Sequence, residues 1–124
     1  MTTESKSTVL KEKILVVDDD SLMQDYLSEI LNRSGFYVEL ASAGEEALGR
    51  IKKEDYDIIL SDIRMPNMGG MELLQTVKQY LPDAKVVMMT AYGTVQNAVE
   101  AMKLGAFEYV MKPFSADEIE LVIK

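Results

Sequence analysis

Along the chain, short runs of consecutive apolar residues alternate with longer stretches whose apolar residues return at helical spacing. From Lys13 onward the runs are ILVV (Ile14–Val17), YVELA (Tyr37–Ala41), DIILS (Asp57–Ser61), KVVMM (Lys85–Met89) and EYVM (Glu108–Met111). The third and fourth are apolar on successive residues, which predicts central parallel strands covered on both faces. Between the runs, Leu22/Met23, Tyr26/Leu27 and Ile30/Leu31 repeat at helical spacing and build one apolar stripe. Gly35 then predicts a C-terminal cap. A second helix is expected from Ser42, with Glu45 completing a capping box and Ala47, Leu48 and Ile51 buried. The third carries Leu73, Leu74, Val77 and Leu81 and stops at Pro82. A fourth carries Val95, Ala98, Val99 and Met102 as its apolar stripe and ends at Gly105. The fifth opens with a second capping box, Ser115 with Glu118, and buries Ile119, Val122 and Ile123.

Five strands alternating with five helices predict the α/β class: a (βα)5, flavodoxin-like, doubly wound parallel sheet of strand order 2-1-3-4-5. Residues 1–11, MTTESKSTVLK, are polar and read as a flexible tail, leaving residues 12–124 as one domain. Hydrophobic residues make up 48% and charged residues 27%, the balance of a globular chain. The formal charge of −8 argues against direct binding of nucleic acid or an anionic membrane, since both need basic patches. With no cysteine, disulfides, thiolate metal sites and thiol catalysis drop out together. With no histidine there is no imidazole base, and the chain is not the histidine side of a phosphorelay. No apolar run approaches a membrane span and no signal-peptide core is present, so a cytoplasmic location is expected.

In a sheet of this kind the site lies at the carboxyl ends of the strands. The residues just past those ends are Asp18–Asp19–Asp20 after the first strand, Asp62 after the third, Thr90 after the fourth and Lys112 after the fifth. Strands one and three are neighbours in the expected order, so Asp18, Asp19 and Asp62 converge. Three carboxylates in one cleft need a counter-charge, and Mg²⁺ with several retained waters suits them. Lys112 and the Thr90 hydroxyl flank the cluster, and together these groups match the needs of a phosphoryl group. Each residue also has a plainer reading. Asp20 or Ser21 is expected to be an N-cap only, Asp62 fits a turn, Thr90 a buried strand end, and Lys112 a solvated side chain. Complementary chemistry at one edge of one sheet favours the site.

The motifs VVDDD, LSDIRMPNM, MMTAYG and GAFEYVMKPF resemble the receiver domain of bacterial two-component response regulators, over a match from about Lys13 to the C-terminus. The last two are most similar to receivers of the nitrogen-regulation type, which precede an ATPase driving sigma-54 transcription. The resemblance implies that Asp62 accepts the phosphoryl group. It implies Mg²⁺ ligation by Asp62, by Asp19 more directly, by Asp18 through water, and by the main-chain carbonyl of Arg64. Lys112 would pair with phosphoryl oxygens, ahead of a cis peptide at Pro113, and Thr90 and Tyr109 would be the switch hydroxyl and switch aromatic. Arg64 and Tyr92 would tune the lifetime of the phosphoryl group. The implied donor is a sensor histidine kinase. The implied output is a changed surface on the fourth helix, fifth strand and fifth helix, acting on an effector domain of the same longer chain, with homodimerisation on phosphorylation. Such a domain is a signalling receiver rather than an enzyme, apart from catalysing its own aspartyl phosphorylation and dephosphorylation. One departure stands out: MPNMGG has Gly69 where the family carries Asp, which spares the metal site but is expected to loosen the start of the third helix.

Two other readings compete. A haloacid-dehalogenase-like phosphatase would use Asp18 as nucleophile, but its later acidic pair has only Asp117 and Glu118 to draw on, and these look like helix N-terminal residues. A non-catalytic docking module would not need the intact acid, hydroxyl and lysine set. A flavin site would require a hydroxyl-rich loop after the first strand, where this chain has acids.

Overall fold

The computed structural model describes residues 11–91 and 93–123. The expected tail and Tyr92 therefore lie essentially outside the described residues. The apolar runs form strands β1 (Lys13–Val17), β2 (Tyr37–Ala41), β3 (Ile58–Asp62), β4 (Lys85–Thr90) and β5 (Glu108–Met111). They alternate with helices α1 (Ser21–Arg33), α2 (Gly44–Ile51), α3 (Gly70–Tyr80), α4 (Val95–Lys103) and α5 (Ala116–Ile123). All strand pairs are parallel, in the order β2-β1-β3-β4-β5, which is the expected topology.

Successive residues of a strand point to opposite faces, so the sheet has two cores. Leu15, Ile59, Val86 and Met88 pack beneath α2, α3 and α4, meeting Ile51, Leu73, Leu74, Val77 and Ala101. Ile14, Ile58, Leu60, Val87 and Met89 pack beneath α1 and α5, meeting Leu27, Ile30, Leu31, Ile119 and Ile123. Each fully buried Leu or Ile contributes about 1.5–3 kcal/mol, and every residue of β3 is buried. That double cover explains why β3 reads as an unbroken apolar run.

Helix ends follow local chemistry where side chains or glycine supply it. Gly35 (φ +98°) and Gly105 (φ +104°) adopt the left-handed conformation that closes α1 and α4. At α1 the Phe36 N–H reaches the Leu31 carbonyl, and at α4 the Ala106 N–H reaches the Ala101 carbonyl. The capping box of α5 forms reciprocally, Glu118 N–H to Ser115 Oγ at 3.1 Å and Ser115 N–H to Glu118 Oε1 at 2.8 Å.

Two expectations are corrected. Helix α2 begins at Gly44 rather than Ser42, and Glu46, not Glu45, accepts the Ser42 N–H at 2.8 Å. The Ser42 N–H is thus met one residue further along than a capping box requires, and the first residue of the helix packs closely on the β3–α3 loop: a β-carbon on Gly44 would lie 2.8 Å from the Met68 carbonyl oxygen. In α4 the apolar stripe does not enter the core. Val95, Val99 and Met102 are 82%, 46% and 47% exposed, and the helix rests on the sheet through the small Ala101. Leu22 of α1 is likewise exposed.

Candidate functional site

The end of β1 delivers Asp18 into the sheet rather than into solvent. Its backbone N–H still donates to the Ala41 carbonyl of β2 at 3.1 Å, and its side chain is fully buried. One carboxylate oxygen accepts the Asp20 N–H at 2.9 Å, and the other accepts from the Lys112 ammonium at 2.7 Å. Asp19, the next residue, is exposed. Asp20 caps α1, accepting the Leu22 N–H at 3.0 Å.

Gln24 carries no mark in the sequence pattern. Its amide donates to the Asp18 carbonyl at 2.6 Å and to Ser42 Oγ at 3.1 Å, tying the β1–α1 loop to the β2–α2 loop. Nothing in its spacing marks it, because a polar residue in the first turn of an amphipathic helix is ordinary.

Asp62 ends β3 and is 8% exposed. The Lys112 ammonium lies 3.3 Å from Oδ2, and the Arg64 N–H donates to Oδ1 at 3.4 Å. Burial pushes the Asp62 carboxyl pKa up; Lys112 opposes this, the Asp18 charge adds to it, and the net direction is upward. For Lys112, burial works to lower the pKa. The hydrogen bond and charge of Asp18, then those of Asp62, outweigh it, so the ammonium is held above its ordinary value. Lys112 is therefore the fixed positive charge of the site.

Carboxylate oxygens of Asp18, Asp19 and Asp62 lie within 4.8 Å of one another. The donor set is all oxygen, with two ligands anchored by burial and one open to water. This fits a hard divalent cation that keeps part of its water shell. The surrounding cleft of about 330 Å³ is lined by Asp18, Asp19, Asp20, Met23, Asp62, Arg64, Ala91 and Lys112. A larger cleft of about 420 Å³ opens at the amino ends of the strands, between Tyr56 and Tyr80. It lies away from these groups, so the chemistry rather than the cavity size identifies the site.

Thr90 and Tyr109 stand beside the cleft rather than in it. Thr90 is 1% exposed at the end of β4, and its carbonyl accepts the Lys112 N–H at 2.8 Å. The Lys112–Pro113 peptide is cis. Tyr109 packs against the core on the α2–α4 face, and its hydroxyl is buried with no hydrogen-bond partner among the described residues. An unpaired buried hydroxyl costs about 1–3 kcal/mol.

The β3–α3 loop is held tightly behind Asp62. The Gly70 N–H donates to the Ile63 carbonyl at 2.8 Å, and a β-carbon on Gly70 would lie 2.3 Å from the Asp62 carbonyl oxygen. Gly69 is the N-cap of α3, with φ −77° and ψ 168°, and has no side chain to bond the free helix N–H groups. A β-carbon there meets only the Ile63 carbonyl, at 3.6 Å. Gly69→Asp is therefore expected to stabilise the protein by about 0.5 kcal/mol through cap and dipole, read as a higher urea midpoint at unchanged slope.

Comparison with known proteins bears on the family and the fold. Residues 14–124 match the response regulator receiver domain family. The chain belongs to that family. It is 42% identical over 110 residues to the transcriptional regulatory protein ZraR of Klebsiella oxytoca, covering 89% of this chain and 25% of ZraR. It is 37% identical to the sporulation initiation phosphotransferase F of Bacillus subtilis, covering 94% of both. The beryllofluoride-activated NtrC4 receiver domain dimer, solved in solution, superimposes with a TM-score of 0.86 at 36% identity, covering 90% of this chain and 92% of that one. This receiver is thus of the nitrogen-regulation type, and it spans about a quarter of the length of relatives such as ZraR. Among the described residues, no helix is long and apolar enough to cross a membrane.

Proposed function

We propose that Asp62 takes a phosphoryl group from the phosphohistidine of a sensor histidine kinase, and that residues 12–124 act as a self-contained receiver in the cytoplasm. The observation that carries this reading is the Lys112 ammonium set between two buried carboxylates, 2.7 Å from Asp18 and 3.3 Å from Asp62. The Asp62 carboxylate forms the new bond to phosphorus as the donor's nitrogen–phosphorus bond breaks and the imidazole departs with the electron pair. Lys112 meets charge gathering on the equatorial oxygens, and the Thr90 hydroxyl donates to them once the phosphoryl group is in place. Asp18, Asp19, Asp62 and the Arg64 carbonyl would hold Mg²⁺, which when bound supplies further neutralisation of those oxygens. Hydrolysis of the same anhydride, at a rate tuned by Arg64 and Tyr92, would return the receiver to rest.

Output follows from the new acceptors at Asp62. Thr90 moves toward them, which favours the inward pose of the Tyr109 ring over an outward one, and the α4–β5–α5 face changes its packing. The solvent-facing stripe Val95, Val99 and Met102 gives that face an apolar surface for an effector domain or a second copy on phosphorylation. In the full-length regulator this output would control transcription. The phosphatase reading is less favoured, because its nucleophile would be Asp18, which is fully buried and held by Lys112 at 2.7 Å, whereas Asp62 is slightly exposed and held more loosely at 3.3 Å.

Incubation with acetyl phosphate and Mg²⁺ is expected to add one phosphoryl group, which fragmentation by mass spectrometry maps to Asp62. A label on Asp18, or no label, would overturn the proposal.

A further inference from the structure

A hydroxyl without a partner meets a glycine whose backbone does not need to be glycine. Tyr109 sits beside Met88 in the β4–β5 ladder, with its hydroxyl buried and unbonded among the described residues. The wall facing it is Gly93. A β-carbon built there would lie 2.8 Å from the Tyr109 hydroxyl oxygen and 2.1 Å from Met111 Sδ. Gly93 is not among the glycines with positive φ, so its backbone is open to alanine. What excludes a side chain is space.

The two contacts differ in kind. Met111 is 48% exposed and its flexible thioether can swing aside. The Tyr109 oxygen ends a rigid ring, which leaves only by rotating about χ1 toward solvent.

We infer that Gly93 is a positioning residue of the Tyr109 switch. Its missing side chain is the space that admits the ring, and a β-carbon at this position turns the ring outward. The inference rests on the switch role proposed above for Tyr109. The inward hydroxyl is desolvated and unpaired, which weakens the inward pose, and a β-carbon at residue 93 adds a steric cost to that same pose.

The test is NMR of the full chain, without and with beryllofluoride and Mg²⁺. In Gly93→Ala the Tyr109 ring is expected to lose its contacts to residue 93 and the core. Amide shifts at Asp62 and Arg64 on beryllofluoride binding should be retained, while those along α4, β5 and α5 are lost. In Gly93→Ala/Tyr109→Phe the clashing oxygen is gone and no ring carbon lies within 3.1 Å of the new β-carbon, so the ring should return inward. A ring that stays buried in Gly93→Ala, or stays outward in the double variant, overturns the inference. If Gly93→Ala fails to fold, recovery of the fold in the double variant supports the inference and continued failure overturns it. Absence of shifts at Asp62 in the parent would count against the proposed function alone, since the ring's pose without beryllofluoride still decides the role of Gly93.

Discussion

Asp62→Asn will take up no phosphoryl group, and in metal-free buffer at neutral pH it will unfold at a higher urea concentration than the parent. The first effect follows from the role proposed for Asp62 as the phosphoryl acceptor. The second follows from where its carboxylate sits. Asp62 is 8% exposed, and burial together with the Asp18 charge raises its pKa despite Lys112. A carboxyl whose folded pKa exceeds its unfolded value binds more protons in the folded state between the two. Stability of the parent therefore falls as pH rises through that window, and above it the full penalty is present. Asparagine keeps the shape and carries no charge, so the gap between variant and parent should open on the alkaline side of the ordinary aspartate range and then stay constant. Mg²⁺ should narrow it, because a ligand of the folded state stabilises the protein that binds it better. A parent as stable as the variant at every pH would mean that Lys112 fully compensates Asp62.

The same electrostatics explain why much of the site was legible in the chain. A strand covered on both faces must be apolar on successive residues, so the ends of β1, β3, β4 and β5 are marked by the first polar residue after each run. Right-handed crossovers then bring the ends of β1 and β3 together. Asp18, Asp19 and Asp62 needed no further information to converge, nor did Lys112 from the end of β5.

What escaped depends on how closely elements approach, which residue type alone does not encode. Helix α2 starts where Gly44 fits against Met68, although Ser42 and Glu45 carry a better local cap pattern. Helix α4 has a regular apolar stripe, yet Ala101 meets the sheet and Val95 faces solvent. Periodicity shows that a face exists and not what covers it. Gln24 bridges two loops through backbone carbonyls that any sequence would offer. Gly93 matters through a β-carbon it does not have.

Lys112→Met should be strongly destabilising, costing about 3–5 kcal/mol in metal-free buffer. Methionine keeps the unbranched stem and is one atom shorter, so little packing is lost. What disappears is the one cation shared by Asp18, fully buried, and Asp62, nearly so. Among the described residues, Asp18 keeps only the Asp20 N–H as a compensating donor to its side chain. An exposed lysine such as Lys103 offers the control, since its replacement by methionine should move stability by about 0.5 kcal/mol or less. Mg²⁺ should restore part of the Lys112→Met loss, because a divalent cation held by the same carboxylates supplies charge from the other side. The double variant Asp62→Asn/Lys112→Met separates the two carboxylates. With Asp62 neutral, the missing ammonium leaves one buried charge instead of two, so the double variant should be more stable than Lys112→Met alone, and the two effects should not add. Additive effects would show that Lys112 compensates Asp18 alone and that its 3.3 Å approach to Asp62 carries no stability.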